Sequence, residues 1–502
     1  MGLKSVLAKP FAAYIASHVR KESLKAIQNQ QKWLNRLLSR GSQTAFGKDH
    51  QFDKIHSYTE FKNHVPVRDY EALYPYISRA IDGEMNVLWP GKPLYWSKTS
   101  GTTSGVKYIP ITNESIGYHI NSARNALLCY IAETGNSRFV DGKLIFLSGS
   151  PGLERKNGIL TGRLSGIVNH HVPAYLRSNQ MPSYDTNCID DWEQKVDAIV
   201  KETLHENMTL ISGIPPWVQM YFDKLMLASA GKPVKDIFPD FSVFVYGGVN
   251  YEPYRAKIER SIGKQIDSIE TYPASEGFIA YQDSQETNAL LLLTNNGIFY
   301  EFIAADEFYS ENPTRVALED VELNKNYAVI LNTNAGLFGY NIGDTVKFVS
   351  KNPYRLLVTG RIKHFISAFG EHVIGEEVEH AVLHAAARCN ADITEFTVAP
   401  QVSPADNELP YHEWWIEFGK LPENTEVFAT EVDLALQQKN IYYSDLRKGN
   451  ILQNLKIRIL KKSAFIEYMK SEGKLGGQNK VPRLSNNRVI ADKLKQFMVQ
   501  NP

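Results

Sequence analysis

Between about residues 93 and 285 the chain alternates short β-type runs with helical runs, and this alternation restricts the fold more than any other feature. Leu94–Lys98 and Lys107–Thr112 read as strands. Asn113 suits the start of a helix that carries Ile116, Ile120, Ala123, Leu127 and Ile131 and is closed by Gly135. Lys143–Ser148 and Leu210–Gly213 read as buried strands, and Pro215-Pro216 opens a helix, Trp217–Ala230, stopped by Gly231. Phe241–Tyr246 and Asp267–Thr271 complete the series. Alternation of this kind predicts an α/β fold.

The pattern changes on both sides of this region. Residues 11–40 read as one helix with an apolar stripe of Ile15, Val19, Leu24, Ile27, Trp33, Leu34 and Leu37-Leu38, ended by Gly41. After about residue 285, Leu290–Thr294 and Ile298–Ala304 flank Asn295-Asn296-Gly297, a hairpin signal. Tyr327–Thr333 and Tyr340–Val349 form a second such pair. The expectation is a barrel-like antiparallel part joined to the α/β part. Beyond Gly360 the pattern restarts: helix Glu376–Arg388, strands Ile393–Pro400 and Trp414–Phe418, helix Thr425–Lys439, strand Leu455–Leu460 and helix Ala464–Ser471. This predicts a large domain over 1–362 and a small α+β domain over 363–502, within ordinary domain size.

Composition excludes several classes. Across 502 residues, 55 Lys+Arg balance 55 Asp+Glu, whereas a dedicated nucleic-acid binder usually carries basic excess. No apolar run approaches the roughly 20 residues that span a bilayer, so no membrane partner is expected. Cys129, Cys188 and Cys389 are scattered, with neither a disulfide framework nor zinc spacing, which suits a reducing, cytoplasmic setting.

The densest chemical signal is Thr99-Ser-Gly-Thr-Thr-Ser-Gly-Val-Lys107. Five hydroxyl residues, Gly101 and Gly105 sit between two strands, with a lysine at the end. Glycines let backbone N–H groups curl around an anion, hydroxyls donate to phosphate oxygens, and Lys107 supplies charge. A Walker A loop places its lysine directly after the glycine and before a helix, so this is a different device. A solvated hairpin loop is the plain alternative. Tyr272-Pro-Ala-Ser-Glu-Gly277 follows the strand Asp267–Thr271, where α/β sheets bind ligands. Tyr272 could stack on a purine and Glu276 could hold Mg²⁺, or the segment is a turn with a solvated Glu. Tyr340-Asn-Ile-Gly-Asp344 puts an Asp inside a strand, suited to ribose hydroxyls or to a bulge. Thr359-Gly-Arg-Ile-Lys363 reads as a hinge or a linker. Gly476-Gly477-Gln-Asn-Lys480 reads as a lysine on a late loop.

In this order the five segments resemble the adenylate-forming superfamily of firefly luciferase, acyl-CoA synthetases and peptide-synthetase adenylation domains. Three features are similar to one branch, the acyl-acid amido synthetases typified by plant enzymes that conjugate auxin or jasmonate to amino acids: Thr99–Lys107, Tyr272–Gly277, and Ile214-Pro-Pro-Trp217 before a helix. The resemblance implies that Thr99, Ser100, Gly101, Thr102, Thr103, Gly105 and Lys107 hold ATP phosphates. It implies that Tyr272 and Ser275 border the nucleotide, Glu276 binds Mg²⁺, and Asp344 holds the ribose with Arg361 nearby. Lys480 would be the catalytic lysine of the adenylation step. Trp217, Gly247 and Gly248 would border the acyl pocket, and Lys363 falls at the hinge, where the superfamily usually has Asp.

The activity implied is ATP-dependent adenylation of a small carboxylic acid and transfer of the acyl group to an amine, an amino acid in that branch. A thioester-forming acyl-CoA ligase and a non-catalytic nucleotide-binding homologue are the alternatives. The pair His380 and His384 has metal-ligand spacing but no third ligand, and Lys456, Arg458, Lys461 and Lys462 read as a solvated strand face. His170-His171 has no place in the scheme.

Overall fold

The computed structural model describes the chain except for residues 1, 101–105, 173–176, 190, 249–250, 363–364, 367–370, 372, 403, 405–407, 449–450, 476–479 and 500–502. It divides into two compact units: Met1–Val249 with Ile258–Val358 and Gly476–Gln478, and Asn250–Lys257 with Thr359–Leu475 and Asn479–Pro502.

The larger unit is built on one sheet of 12 strands. Its middle and one end carry the alternating segments: Lys143–Phe146, Met208–Ser212, Val243–Gly247 and Asp267–Ala274 pair in parallel, Lys143–Phe146 between Met208–Ser212 and Gln180–Met181. The sheet continues without a break through Gly277–Tyr281 and Leu290–Leu292 into the antiparallel strands Tyr354–Arg361, Tyr340–Lys351, Asn326–Thr333, Ile298–Ala304 and Arg315–Ala317. The antiparallel part is therefore an extension of the α/β sheet rather than a sheet of its own. The tight turn at Ser275-Glu276 makes the switch, because it returns Gly277–Tyr281 antiparallel to Asp267–Ala274. A second sheet, of 4 strands, orders Val106–Ile111, Tyr95–Ser100, Ile159–Gly162 and Glu154–Lys156.

The N-terminal segment is two helices, Leu3–Ser23 and Ala26–Gly41, where one was expected. The chain turns at Leu24–Lys25, and Asn29 Nδ2 donates to the freed carbonyl of Glu22 at 3.0 Å. An uninterrupted apolar stripe hid the break, because the two helices bury their faces against different partners. The first packs on helix Ile116–Thr134 and the second on strand Ile298–Ala304. Trp33, Leu34, Leu37 and Leu38 of the second helix enter the main core. Gln30 registers that helix on the strand: its amide donates to Ile298 O (2.9 Å) and accepts from Tyr300 N (2.8 Å).

In the smaller unit, Asp392–Gln401, Tyr411–Lys420 and Lys456–Leu460 form a sheet of 3 strands. Trp414 and Ile416 face helices Gly375–Arg388 and Thr425–Lys439, while Trp415 faces helices Ala464–Ser471 and Val489–Leu494. Period-2 alternation thus covers both faces of one strand. Helices Thr425–Lys439 and Ala464–Ser471 have the bounds their patterns predict. Asn424 caps the first, accepting from Glu426 N and Val427 N. Among the described residues, no helix is long and apolar enough to cross a membrane.

Candidate active site

The site grows from the hairpin of strands Tyr95–Ser100 and Val106–Ile111. Thr99 pairs with Lys107 and Ser100 with Val106 at its open end. The Lys107 ammonium lies 5.2 Å from the centre of the Tyr70 ring. Tyr70 also accepts from Tyr108 N through its hydroxyl at 2.9 Å, so helix Tyr70–Ile81 buttresses the lysine-bearing strand. Gly101, Thr102, Thr103, Ser104 and Gly105 lie outside the described residues.

Two side-chain hydrogen bonds connect this hairpin to the rest of the motif series. Ser97 Oγ and Ser275 Oγ are 2.9 Å apart and both residues are buried. This bond joins the 4-stranded sheet to the turn of the 12-stranded sheet, and it puts half-buried Glu276 one residue from the junction. Tyr272 Oη donates to Asp344 Oδ2 at 2.8 Å. The strand holding Tyr272 runs to Ala274, longer than the expected Asp267–Thr271, so Tyr272 is a strand residue and its ring is buried in the core. Asp344 sits at an irregularity: the register shifts opposite Ala328 and Ile330, and Gly343 has φ 87°. Glycine adopts that conformation at no steric cost, and Gly343 N donates to Asn341 Oδ1 at 2.9 Å. The bulge and the acid are therefore one feature: the extra residue turns the carboxylate toward Tyr272. Loss of the Tyr272 hydroxyl would release Asp344, and hydrogen bonds to charged groups contribute about 1.5–3 kcal/mol. Tyr272→Phe is expected to lower stability by about that amount, read as a fall in the urea-unfolding midpoint.

Gly247 pairs with Thr271, and a Cβ at 247 would stand 2.3 Å from the Thr271 carbonyl oxygen. Only glycine lets these strands approach so closely. Gly248 is exposed with φ 73°. Trp217 is buried at the start of helix Pro215–Ala228, its ring centre 4.4 Å from that of Trp192. Gly247 thus stands beside Tyr272 through strand pairing, while Trp217 belongs to a separate aromatic pair with helix Trp192–Thr203.

Arg361 and Lys480 lie in the smaller unit. Arg361 is exposed at the end of strand Tyr354–Arg361, and Lys363 lies outside the described residues, as do Gly476 and Gly477. Lys480 is exposed and precedes a firmly anchored segment. Thr397 Oγ1 donates to Pro482 O at 2.7 Å, Val398 N to Arg483 O at 2.9 Å, and Ser485 N to Val398 O at 2.9 Å. Arg483 itself donates to Glu379 Oε1 (3.0 Å), to Glu395 and to Tyr254 Oη (3.0 Å). The lysine thus sits three residues before a clamp on strand Asp392–Gln401.

The chain matches the models for the GH3 family N-terminal domain over residues 16–187, its central domain over 291–361 and its C-terminal domain over 376–489. The chain belongs to the GH3 family. Similar GH3 relatives include a jasmonoyl–L-amino acid synthetase, JAR4, of Nicotiana attenuata, 23% identical with 90% of each chain covered. Another is an indole-3-acetic acid-amido synthetase, GH3.15, of Arabidopsis thaliana, 23% identical over 92% of this chain and 90% of the relative. In fold, the chain is similar to the GH3.15 acyl acid amido synthetase bound to 2,4-DB, with a TM-score of 0.78, 17% identity, and 97% and 96% of the chains covered. It is also similar to a 2-hydroxyisobutyryl-CoA ligase, with a TM-score of 0.60, 12% identity, and 93% and 90% covered. The mixed sheet of 12 strands with its smaller α+β unit is thus a fold shared with these solved structures.

Ser97 escaped the sequence reading because an isolated serine in a strand carries no signal; only its partner Ser275 distinguishes it. His171 is likewise placed by structure alone: its Nε2 is 3.0 Å from Tyr95 Oη, on the strand that leads into the loop. Its pKa is lowered, chiefly by burial and further by the neighbouring His170. Among the described residues no group of three metal-binding side chains exists, and His380 and His384 lie ring against ring, 6.2 Å apart.

Proposed function

We propose that this chain is an ATP-dependent ligase that adenylates a small carboxylic acid and passes the acyl group to an amine, in the manner named for its GH3 relatives. One observation carries the reading. The bonds Ser97–Ser275 and Tyr272–Asp344 gather the hairpin that bears Lys107, the turn that bears Glu276 and the bulge that bears Asp344 within one unit.

In the first step a carboxylate oxygen attacks the α-phosphorus of ATP, the bond to the β-phosphate breaks, and pyrophosphate leaves. In the second, the nitrogen of a neutral amine attacks the acyl carbon, the bond to AMP breaks, and the nitrogen loses a proton. Carboxylate and triphosphate repel each other, so catalysis is positioning and charge stabilisation. Lys107 and the backbone of the segment from Thr99 would hold phosphates, Asp344 the ribose, and Tyr272 the adenine edge. Lys480 would bring a charge to the α-phosphate in the adenylation step. Trp217, Gly247 and Gly248 would border the acid, and Arg361 the nucleotide.

Mg²⁺ fits this set in one way. With a single carboxylate at the turn and no three-residue metal cluster among the described residues, Glu276 would complete a metal held mainly by phosphate oxygens, the usual Mg²⁺ arrangement. The metal would neutralise the departing pyrophosphate. Glu276→Gln is therefore expected to raise the Mg²⁺ concentration at half-maximal exchange several-fold.

The test of the whole reading is ATP-dependent pyrophosphate release across a panel of acids, followed by product identification with amino acids and, separately, with CoA. Release followed by amide formation is expected. Thioester formation alone would convert the reading to an acyl-CoA ligase, and silence across the panel would end it.

A further inference from the structure

Arg163 follows strand Ile159–Gly162, whose Gly162 pairs in parallel with Ser97, the residue bonded to Ser275. Among the described residues no carboxylate or carbonyl accepts a hydrogen bond from its guanidinium, and the residue is half-buried. Burial lowers its pKa, and no neighbouring acid restores it. A half-buried guanidinium with its donors still available is suited to receive an incoming anion.

The surroundings hold this guanidinium in a fixed place. Its Cδ lies 2.7 Å from where a Cβ on Gly149 would stand, and Nε and Nη1 lie 3.5 and 3.7 Å from that point. Gly149 belongs to the loop that leaves strand Lys143–Phe146 at its carboxyl end, where parallel sheets bind ligands. The loop is pinned at both ends. Buried Lys195 donates to Ser148 O at 2.9 Å and to Asn187 O at 2.6 Å, and His170 Nε2 donates to Pro151 O at 2.9 Å. The same Lys195 ammonium stands 5.8 Å from the ring centre of Trp192, the stacking partner of Trp217. On its other side the next residue, Leu164, joins an apolar cluster with Tyr95, Ile111, Ile116 and Ile167.

A guanidinium next to Leu164 of an apolar cluster, beside a loop that Lys195 ties to the Trp192–Trp217 pair, suits an anion with an apolar body, which describes a carboxylic acid and not a triphosphate. We propose that Arg163 receives the carboxylate of the acid substrate, with Gly149 leaving room for the guanidinium and Lys195 and His170 fixing the loop behind it. This deepens the ligase reading and rests on it for the word substrate. An arginine fork presents two parallel donors to a carboxylate, which orients one oxygen for attack.

The test separates acid from nucleotide and binding from turnover. Thermal shifts of the full chain with benzoate, hexanoate and indole-3-acetate are compared with shifts by ATP, for wild type and for Arg163→Gln. The acids are expected to stabilise the wild type and not the variant, while ATP stabilises both. In pyrophosphate exchange the KM for acid should rise tenfold or more with the KM for ATP within twofold, and free guanidinium should restore part of the loss. Arg163→Lys should keep part of the acid affinity. Retained acid binding in Arg163→Gln, loss of the ATP shift in place of the acid shift, or no acid shift in the wild type would overturn the proposal. Should Arg163→Gln fail to fold, Gly149→Ala decides, because it crowds the guanidinium and leaves the charge: an unchanged acid KM would overturn it. If acids stabilise the wild type and not Arg163→Gln, yet no acid supports exchange, the carboxylate site stands and the ligase reading falls.

Discussion

Lys480→Ala is expected to lower acid-dependent pyrophosphate exchange by about 10²–10³-fold, the effect of removing one preorganised donor from a developing oxyanion. Three further readouts locate the loss. The Kd for ATP should change little, because on the proposed reading this exposed lysine acts on the adenylation step and not on the bound nucleotide. Acyl transfer from a supplied acyl-adenylate to an amine should proceed at the wild-type rate, since that step has no triphosphate to neutralise. Lys480→Arg should not restore exchange, because a guanidinium fork differs in reach and shape from a point charge. Undiminished exchange in Lys480→Ala would remove this lysine from the reaction.

Arg483→Ala is expected to cost about 3–5 kcal/mol of stability in the smaller unit, the cost of breaking a buried ion pair from one side. The side chains of Arg483, Glu379 and Glu395 are 13%, 12% and 14% exposed, so solvent screens the pairs weakly. The guanidinium also donates to Tyr254 Oη at 3.0 Å, and Tyr254 Oη donates to Glu395 Oε2 at 2.6 Å. Removing the arginine leaves two carboxylates without their cation and one phenol without its acceptor geometry. Urea unfolding followed by the fluorescence of Trp414 and Trp415, both in the core of that unit, would show the midpoint fall. Tyr254→Phe should cost less, about 1.5–3 kcal/mol, because it removes hydrogen bonds to charged groups and leaves the ion pairs standing. A stability within error of wild type for Arg483→Ala would mean that the pairs offset only their own desolvation. The clamp also bears on catalysis: with segment Pro482–Arg483 loosened from strand Asp392–Gln401, Lys480 loses its fixed base, and exchange should fall in parallel with stability.

The division between what was legible in the sequence and what was not follows the range of the interactions. Helix Thr425–Lys439 is readable because its cap, Asn424, and its apolar spacing are local. The split of the N-terminal segment at Leu24–Lys25 is not, because one apolar stripe serves two helices that pack on different elements. Arg163 reads as an ordinary polar residue until Gly149 and the missing counter-charge are seen around it.

By itself the sequence determined which side chains were available and in what order: a hydroxyl- and glycine-rich hairpin, a Tyr and a Glu at a strand end, an Asp behind a glycine, a late lysine. Those are properties of short windows, where capping, turn chemistry and periodicity act over a few residues. Only the tertiary structure decided that the strands bearing Ser97, Tyr272, Ser275 and Asp344 meet. Ser97 meets Ser275 across 178 residues and Tyr272 meets Asp344 across 72. Sheet register and the bulge at Gly343 fix those meetings, and neither leaves a mark on any single stretch of chain, because strand pairing depends on partners that are remote along the sequence.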